Sequence, residues 1–279
     1  MTEGVEPARP RAPATPPPAA GEGRAHLVAW PLALLGLAFF VLPLVGLLVR
    51  APVGSLGSLL AAPVVRSALS LSLLVSLAAL ALSLVLGLPL AWLLARVEFP
   101  GRRVVRALVT LPMVLPPVVA GVALLAAFGR KGLLGPWLGE LGIELAFSTL
   151  GAVLAATFVA APFLIVTLEA ALERVDRELE DAAATLGATR TRILFTVTLP
   201  AIRPSLLAGL ALCWARALGE FGATITFAGN YPGRTQTLPL AVYEAMQSDP
   251  DAALAIALIL LLVSLALLVA LRGQLGVRR

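Results

Sequence analysis

The sequence predicts an all-α bundle of about six membrane-spanning helices, and three observations carry that prediction. Hydrophobic residues make up 59% of the 279 and charged residues only 13%, with a mean hydropathy of +0.95, far more apolar than a soluble globular domain. The apolar residues gather into separate runs of about twenty or more, the length that crosses a hydrocarbon layer about 30 Å thick. Charge is concentrated instead in one long stretch, Glu169 to Pro204, which ends at a proline.

Met1 to Gly23 is rich in Pro and Ala with almost no large apolar side chains, so residues 1–24 read as a disordered cytoplasmic tail. Leu27 to Val49 is the first span. Its apolar core is too long for a cleaved signal peptide, so it is read as uncleaved. Ala68 to Ala95 is the second, interrupted near its end by Gly87 and Pro89. Leu108 to Phe128 is the third, and Pro112, Pro116 and Pro117 within it forbid a regular helix. Such a break survives in lipid only where protein or water satisfies the freed carbonyls, which places this span inside the bundle beside a path. Ala146 to Leu168, Ser205 to Ala228 and Ala252 to Leu271 complete the set.

Between the fourth and fifth spans, Leu168, Leu172, Val175, Leu179, Ala182 and Leu186 recur at steps of four and three. They predict one helix with an apolar stripe, its wet face formed by residues such as Glu169, Glu173, Asp176 and Glu180. Gly187 sits where a helix end takes positive φ. Thr189 is placed to cap a second short helix carrying Ile193, Leu194, Phe195 and Val197, which Pro200 and Pro204 bring to a stop. With six acids and five arginines from Glu169 to Arg203, the stretch is too acidic for a helix lying on anionic headgroups.

Basic residues set the orientation. With both termini on one side, that side collects fifteen of the 21 Lys and Arg, and the other side only Arg50, Arg66, Arg130, Lys131 and Arg234. Cytoplasmic termini follow, and the 169–203 loop falls in the cytoplasm with them.

The central loop carries a resemblance. Asp181-Ala182-Ala183, three residues, Gly187, nine residues, then Val197-Thr198-Leu199-Pro200 resembles the "EAA" loop of bacterial ABC importer membrane subunits, with Asp181 in place of Glu and Val197 in place of Ile. In that family the loop docks into a cytoplasmic ATPase, which implies a coupling role for Asp181, Ala182, Ala183, Gly187, Val197, Leu199 and Pro200. Small residues and a sharp turn suit a helix-turn-helix that enters a groove on a partner.

Three further segments are similar to the molybdate-transport permeases: Leu111 to Pro117, Arg216 to Ala223, and Ala228 to Pro239 with its Pro-Gly-Arg-Thr-Gln-Thr-Leu-Pro run. The sulfate permeases share much of the first two. The resemblance covers about 66–271 and implies a type-1 ABC importer permease fold, with a membrane permease domain over 25–279. It also implies a second copy of the chain, cytoplasmic ATPase subunits that bind ATP and Mg, and an extracytoplasmic molybdate-binding protein. The chain would reside in the bacterial cytoplasmic membrane and carry molybdate, with tungstate as a second candidate and sulfate or thiosulfate as the rival substrate.

Several classes are excluded or disfavoured. The only lysine, Lys131, follows Arg130 and precedes Gly132, so there is no P-loop, and no Gly-x-Ser-x-Gly elbow is present. The chain is read as a non-catalytic transport subunit without a cofactor of its own. One cysteine, Cys213, excludes an internal disulfide, and the single His26 leaves no histidine cluster for a metal. The scattered basic residues form no aromatic-basic surface for nucleic acid. A self-contained secondary transporter would show internal repeats and coupled ionisable residues; only Arg216 and Glu220, one turn apart in the fifth span, have that character. An arginine at that depth needs a partner or water. Arg216 and Glu220 are therefore either a structural ion pair or, with Thr110, Pro112, Pro116 and Pro117, part of an anion path.

Overall fold

The computed structural model describes residues 22–272. Residues 1–21 of the expected tail lie outside them, and Glu22 to Arg24 open the first helix. In order the helices are α1 (Glu22–Arg50), α2 (Leu56–Ala61), α3 (Pro63–Arg96), α4 (Arg102–Val114), α5 (Pro117–Phe128), α6 (Gly135–Glu140) and α7 (Thr149–Arg174). Then follow α8 (Arg177–Thr185), α9 (Arg190–Ile193), α10 (Leu199–Leu218), α11 (Gly222–Phe227), α12 (Leu238–Ser248) and α13 (Pro250–Arg272). A π-helical turn, Leu194–Thr198, joins α9 to α10.

Among the described residues, five helical stretches are long and apolar enough to cross a membrane: Ala29–Arg50, Pro63–Arg96, Thr149–Arg174, Arg190–Leu218 and Pro250–Leu267. The expected third span is present as two shorter helices, α4 and α5, on either side of Leu115 and Pro116. α1 forms a unit by itself, and the rest of the chain packs around α7.

α7 takes the central place because the first half of its buried face is rich in small side chains. Gly151, Ala152, Ala155, Ala156 and Ala160 are all buried, so neighbouring backbones approach closely, which is how helices associate where lipid is as apolar as the core. α3 and α10 flank it. Leu71, Val75, Ala91 and Leu94 of α3 meet Leu164, Leu168 and Leu172 of α7 and Ile202 and Cys213 of α10 in one cluster. Gly87 and Gly209 serve this packing: a Cβ at either would fall 3.0 Å from a side chain of α7, Ile165 or Leu164 respectively.

Two proline expectations are corrected. α3 is not interrupted, since it runs unbroken through Gly87 and Pro89 to Arg96. Nor do Pro200 and Pro204 stop the helix that Thr189 begins. Pro200 is the second residue of α10, and the widened π turn just before it absorbs the missing donor. Helix α10 then continues to Leu218.

Candidate coupling and translocation sites

The 169–203 loop is built from short caps. The stripe predicted as one helix is two, because α7 ends at Arg174 and Asp176 starts α8 by accepting a hydrogen bond from the Glu178 N–H at 3.0 Å. Gly187 has φ +81°, the left-handed conformation expected of it. The Thr189 hydroxyl oxygen accepts from the Arg192 N–H at 3.3 Å, as its place in the sequence predicts. Leu186 is the instructive departure: periodicity put it on the covered stripe, yet it is 89% exposed beside the Gly187 turn. The tip therefore presents a bare leucine that none of the described residues covers.

Glu180, one residue before Asp181, ties this loop to the spans. Arg96 Nη2 at the end of α3 donates to Glu180 Oε1 at 3.0 Å, and Thr198 Oγ1 of the π turn donates to the same oxygen at 2.7 Å. The Arg96 side chain is 8% exposed and its Nε has no hydrogen-bond partner, so its charge depends on that carboxylate. A second set of pairs joins α4 to α7. Arg106 donates to the buried Glu169 and, at 3.0 Å, to Glu173, and Arg102 also reaches Glu173 at 3.1 Å. The hydrogen bond that Arg106 donates to Glu169, against the cost of burial and with the charges of both carboxylates, raises the pKa of the Arg106 guanidinium above its ordinary value. Asp181 itself is exposed and forms no ion pair among the described residues.

Arg96, Glu180, Thr198, Arg106 and Glu169 were all missed as a network, since Arg96 and Glu180 lie 84 residues apart and Arg106 and Glu169 lie 63 apart. The available signal was the position of Arg96, Arg106 and Glu169, each a charged group at the edge of an apolar run; Glu180 and Thr198 carry no such mark.

Deeper in the membrane, two helix breaks lie against each other. α4 ends at Val114, Leu115 and Pro116 are extended, and α5 begins at Pro117. Opposite, α10 ends at Leu218 and α11 begins at Gly222. A Cβ on Gly222 would lie 2.5 Å from Pro117 Cβ, and one on Gly121 would lie 2.5 Å from Thr226 Cβ. Only glycines let these half-helices run side by side.

Glu220 occupies the second break and is 3% exposed. Its Oε1 accepts from the Ala223 N–H at 2.8 Å, and its Oε2 pairs with Arg216 Nη2 at 2.7 Å. Arg216 falls in the last turn of α10 and keeps 28% of its side chain exposed. A cation at a helix C-terminus and an anion at the next N-terminus are each favoured by the backbone dipoles. Of the other path candidates, Thr110 donates back to the Arg106 carbonyl at 3.0 Å, its hydroxyl bound within its own helix; Pro112 is buried, and Pro116 and Pro117 are exposed at the break.

The run from Tyr231 to Pro239 is exposed as far as Arg234 and folds inward from Thr235. Thr235, Gln236 and Thr237 are buried. Ser72 of α3 accepts from the Leu238 N–H at 2.7 Å, and Thr149 of α7 donates to the Arg234 carbonyl at 2.8 Å. The segment fastens α3, α7 and α12 together.

Long apolar helices around an axis rich in small residues, two of the spans interrupted, with a capped helical loop held to them by ion pairs, define a multi-pass helical membrane protein. The chain belongs to the family of binding-protein-dependent transport system inner membrane components, whose sequence profile matches residues 87–274. The molybdenum transport system permease protein ModB of Mycobacterium tuberculosis is 44% identical over 232 residues, 83% of this chain and 88% of that one. The sulfate transport system permease protein CysT of Escherichia coli is 43% identical over 183 residues, 65% of this chain and 66% of that one. The fold is the type-1 importer permease fold. It superposes with a TM-score of 0.72 and 19% identity on the crystal structure of a bacterial ABC transporter involved in import of the acidic polysaccharide alginate, covering 91% of this chain and 95% of that one.

Proposed function

We propose that this chain is the permease subunit of an ATP-driven importer of molybdate, with tungstate as a second substrate. In this reading two copies form the membrane channel over residues 25–279, both termini and the 1–24 tail are cytoplasmic, and a binding protein delivers the oxyanion from outside. ATP and Mg are held by separate cytoplasmic ATPase subunits, and this chain is not itself an enzyme. The observation that carries the substrate is the 44% identity to a molybdenum permease maintained over most of both chains. The sulfate reading is supported by nearly equal identity to a sulfate permease over a shorter stretch.

Asp181, Ala182, Ala183, Gly187, Val197, Leu199 and Pro200 form the surface that receives the ATPase, and Leu186 is its apolar knob. Nucleotide-driven closure of the partner pushes this loop, and the Arg96–Glu180–Thr198 tie carries the displacement to α3. The paired breaks at Leu115–Pro116 and Gly219–Phe221 are where the spans yield. Arg216 offers positive charge to a dianion there, while Glu220 holds it when the path is empty. Thr110, Pro112, Pro116 and Pro117 belong to the third-span side of that path.

The test is to purify the chain with the ATPase and binding protein and measure which oxyanion stimulates ATP hydrolysis. Stimulation by molybdate at concentrations where sulfate does nothing supports the reading. Stimulation by sulfate alone replaces the substrate, and nucleotide turnover by the permease chain alone would falsify the division of labour.

A further inference from the structure

Beside the coupling loop lies a cavity of 440 Å³ whose lining shares Leu199 with the coupling residues and is otherwise separate from them. Leu88 and Trp92 of α3, Leu194 of the π turn and Leu199 at the start of α10 form its apolar wall, and Arg190 and Thr191 of α9 are at its polar end. The size is that of a small-molecule site. Leu88 and Trp92 precede Arg96 by eight and four residues, about 12 and 6 Å along the helix axis at 1.5 Å per residue. The apolar wall is thus set below the charged shell where Arg96 meets Glu180. Trp92 is 46% exposed, at the depth where tryptophans mark a membrane interface. Arg190 is exposed and forms no ion pair among the described residues.

We propose that this cavity holds an acyl chain of an anionic phospholipid, with its phosphate at Arg190 and Thr191. Charge complementarity selects the ligand: the polar end has one cation and one hydroxyl and no carboxylate, and the remainder is hydrocarbon. A segment of an ATPase would have to enter the apolar layer to reach Leu88, whereas an inner-leaflet lipid is already there. The bound lipid spans α3 and the π turn, so it stiffens the joint between the coupling loop and the bundle. This rests on the orientation given under Proposed function, which puts the loop on the cytoplasmic side.

The probe is phosphatidylglycerol, with phosphatidylcholine as the neutral competitor. The permease–ATPase complex is taken from nanodiscs containing both, and retained lipid is counted by native mass spectrometry. A phosphatidylglycerol with a photoreactive acyl chain is mapped in parallel. The expected label falls on the α3 peptide holding Leu88 and Trp92. The expected preference for phosphatidylglycerol is about fivefold, equivalent to about 1 kcal/mol for one basic residue at a membrane surface.

Arg190→Gln removes that preference, and Arg192→Gln, on the same exposed turn but not lining the cavity, retains it. Equal retention of the two lipids, an equal effect of the two arginine changes, a label elsewhere on the chain, or detergent alone in the cavity each overturns the proposal. Lipid retention is read whether or not an oxyanion stimulates hydrolysis, so this inference and the substrate assignment fail separately.

Discussion

The pair at the fifth-span break separates a structural charge from a transporting one, and the double substitution Arg216→Gln with Glu220→Gln decides between them. Glu220 is 3% exposed and serves two partners, Arg216 at 2.7 Å and the Ala223 N–H at 2.8 Å. Arg216→Gln leaves a buried carboxylate with one hydrogen bond. Removing one member of a buried pair costs about 3–5 kcal/mol, and the 28% exposure of Arg216 puts this case at the lower end, about 3 kcal/mol. Glu220→Gln keeps an amide oxygen for Ala223 and strands a cation that already reaches solvent, so its cost is about 1–2 kcal/mol. The double variant removes both charges and recovers about 1–3 kcal/mol relative to the sum of the single changes. Thermal unfolding of the detergent-solubilised chain measures stability, and oxyanion uptake measures transport. In the double variant stability returns, while transport does not if Arg216 meets the anion in the path. A single Arg216→Gln variant as stable as the parent refutes the pairing argument. A double variant that transports normally refutes the path role.

Three further outcomes concern the loop. Gly187→Val meets open space, since no atom lies within 4 Å of the added Cβ; its cost is therefore backbone strain of about 1–2 kcal/mol at φ +81°. The spans still insert, but uptake is lost and ATPase hydrolysis is uncoupled; normal uptake at normal membrane abundance counts against the coupling role. Leu186→Ser changes stability by less than about 0.5 kcal/mol because the side chain is 89% exposed. It weakens ATPase association on the order of tenfold, as loss of a buried leucine contact implies, and unchanged co-purification contradicts that. Glu180→Gln strands the charge of the 8%-exposed Arg96 side chain and costs about 2 kcal/mol, seen as faster limited proteolysis between Arg174 and Arg192; an unchanged cleavage rate shows that the tie does not hold the loop.

The sequence by itself determined what depends on neighbours along the chain. Runs of apolar residues long enough to span, the turn glycine at position 187, the Thr189 cap and the break at Pro116 and Pro117 are local consequences of side-chain and backbone chemistry, and all were legible. The EAA-like spacing and the molybdate-type segments were legible because they are linear patterns. Only the tertiary structure decided what depends on residues far apart. The stripe from Leu168 to Leu186 scores as one helix, but Asp176 caps a new one and turns Leu186 out of the fold. Pro200 reads as a stop signal, yet a π turn before it lets the helix continue into the membrane. Arg96 finds Glu180, and Arg106 finds Glu169, across separations of 84 and 63 residues. Gly222 meets Pro117 in the same way. The physical reason is that a buried charge or a missing Cβ has meaning only through its neighbour in space, and in a helical membrane bundle that neighbour sits on another span.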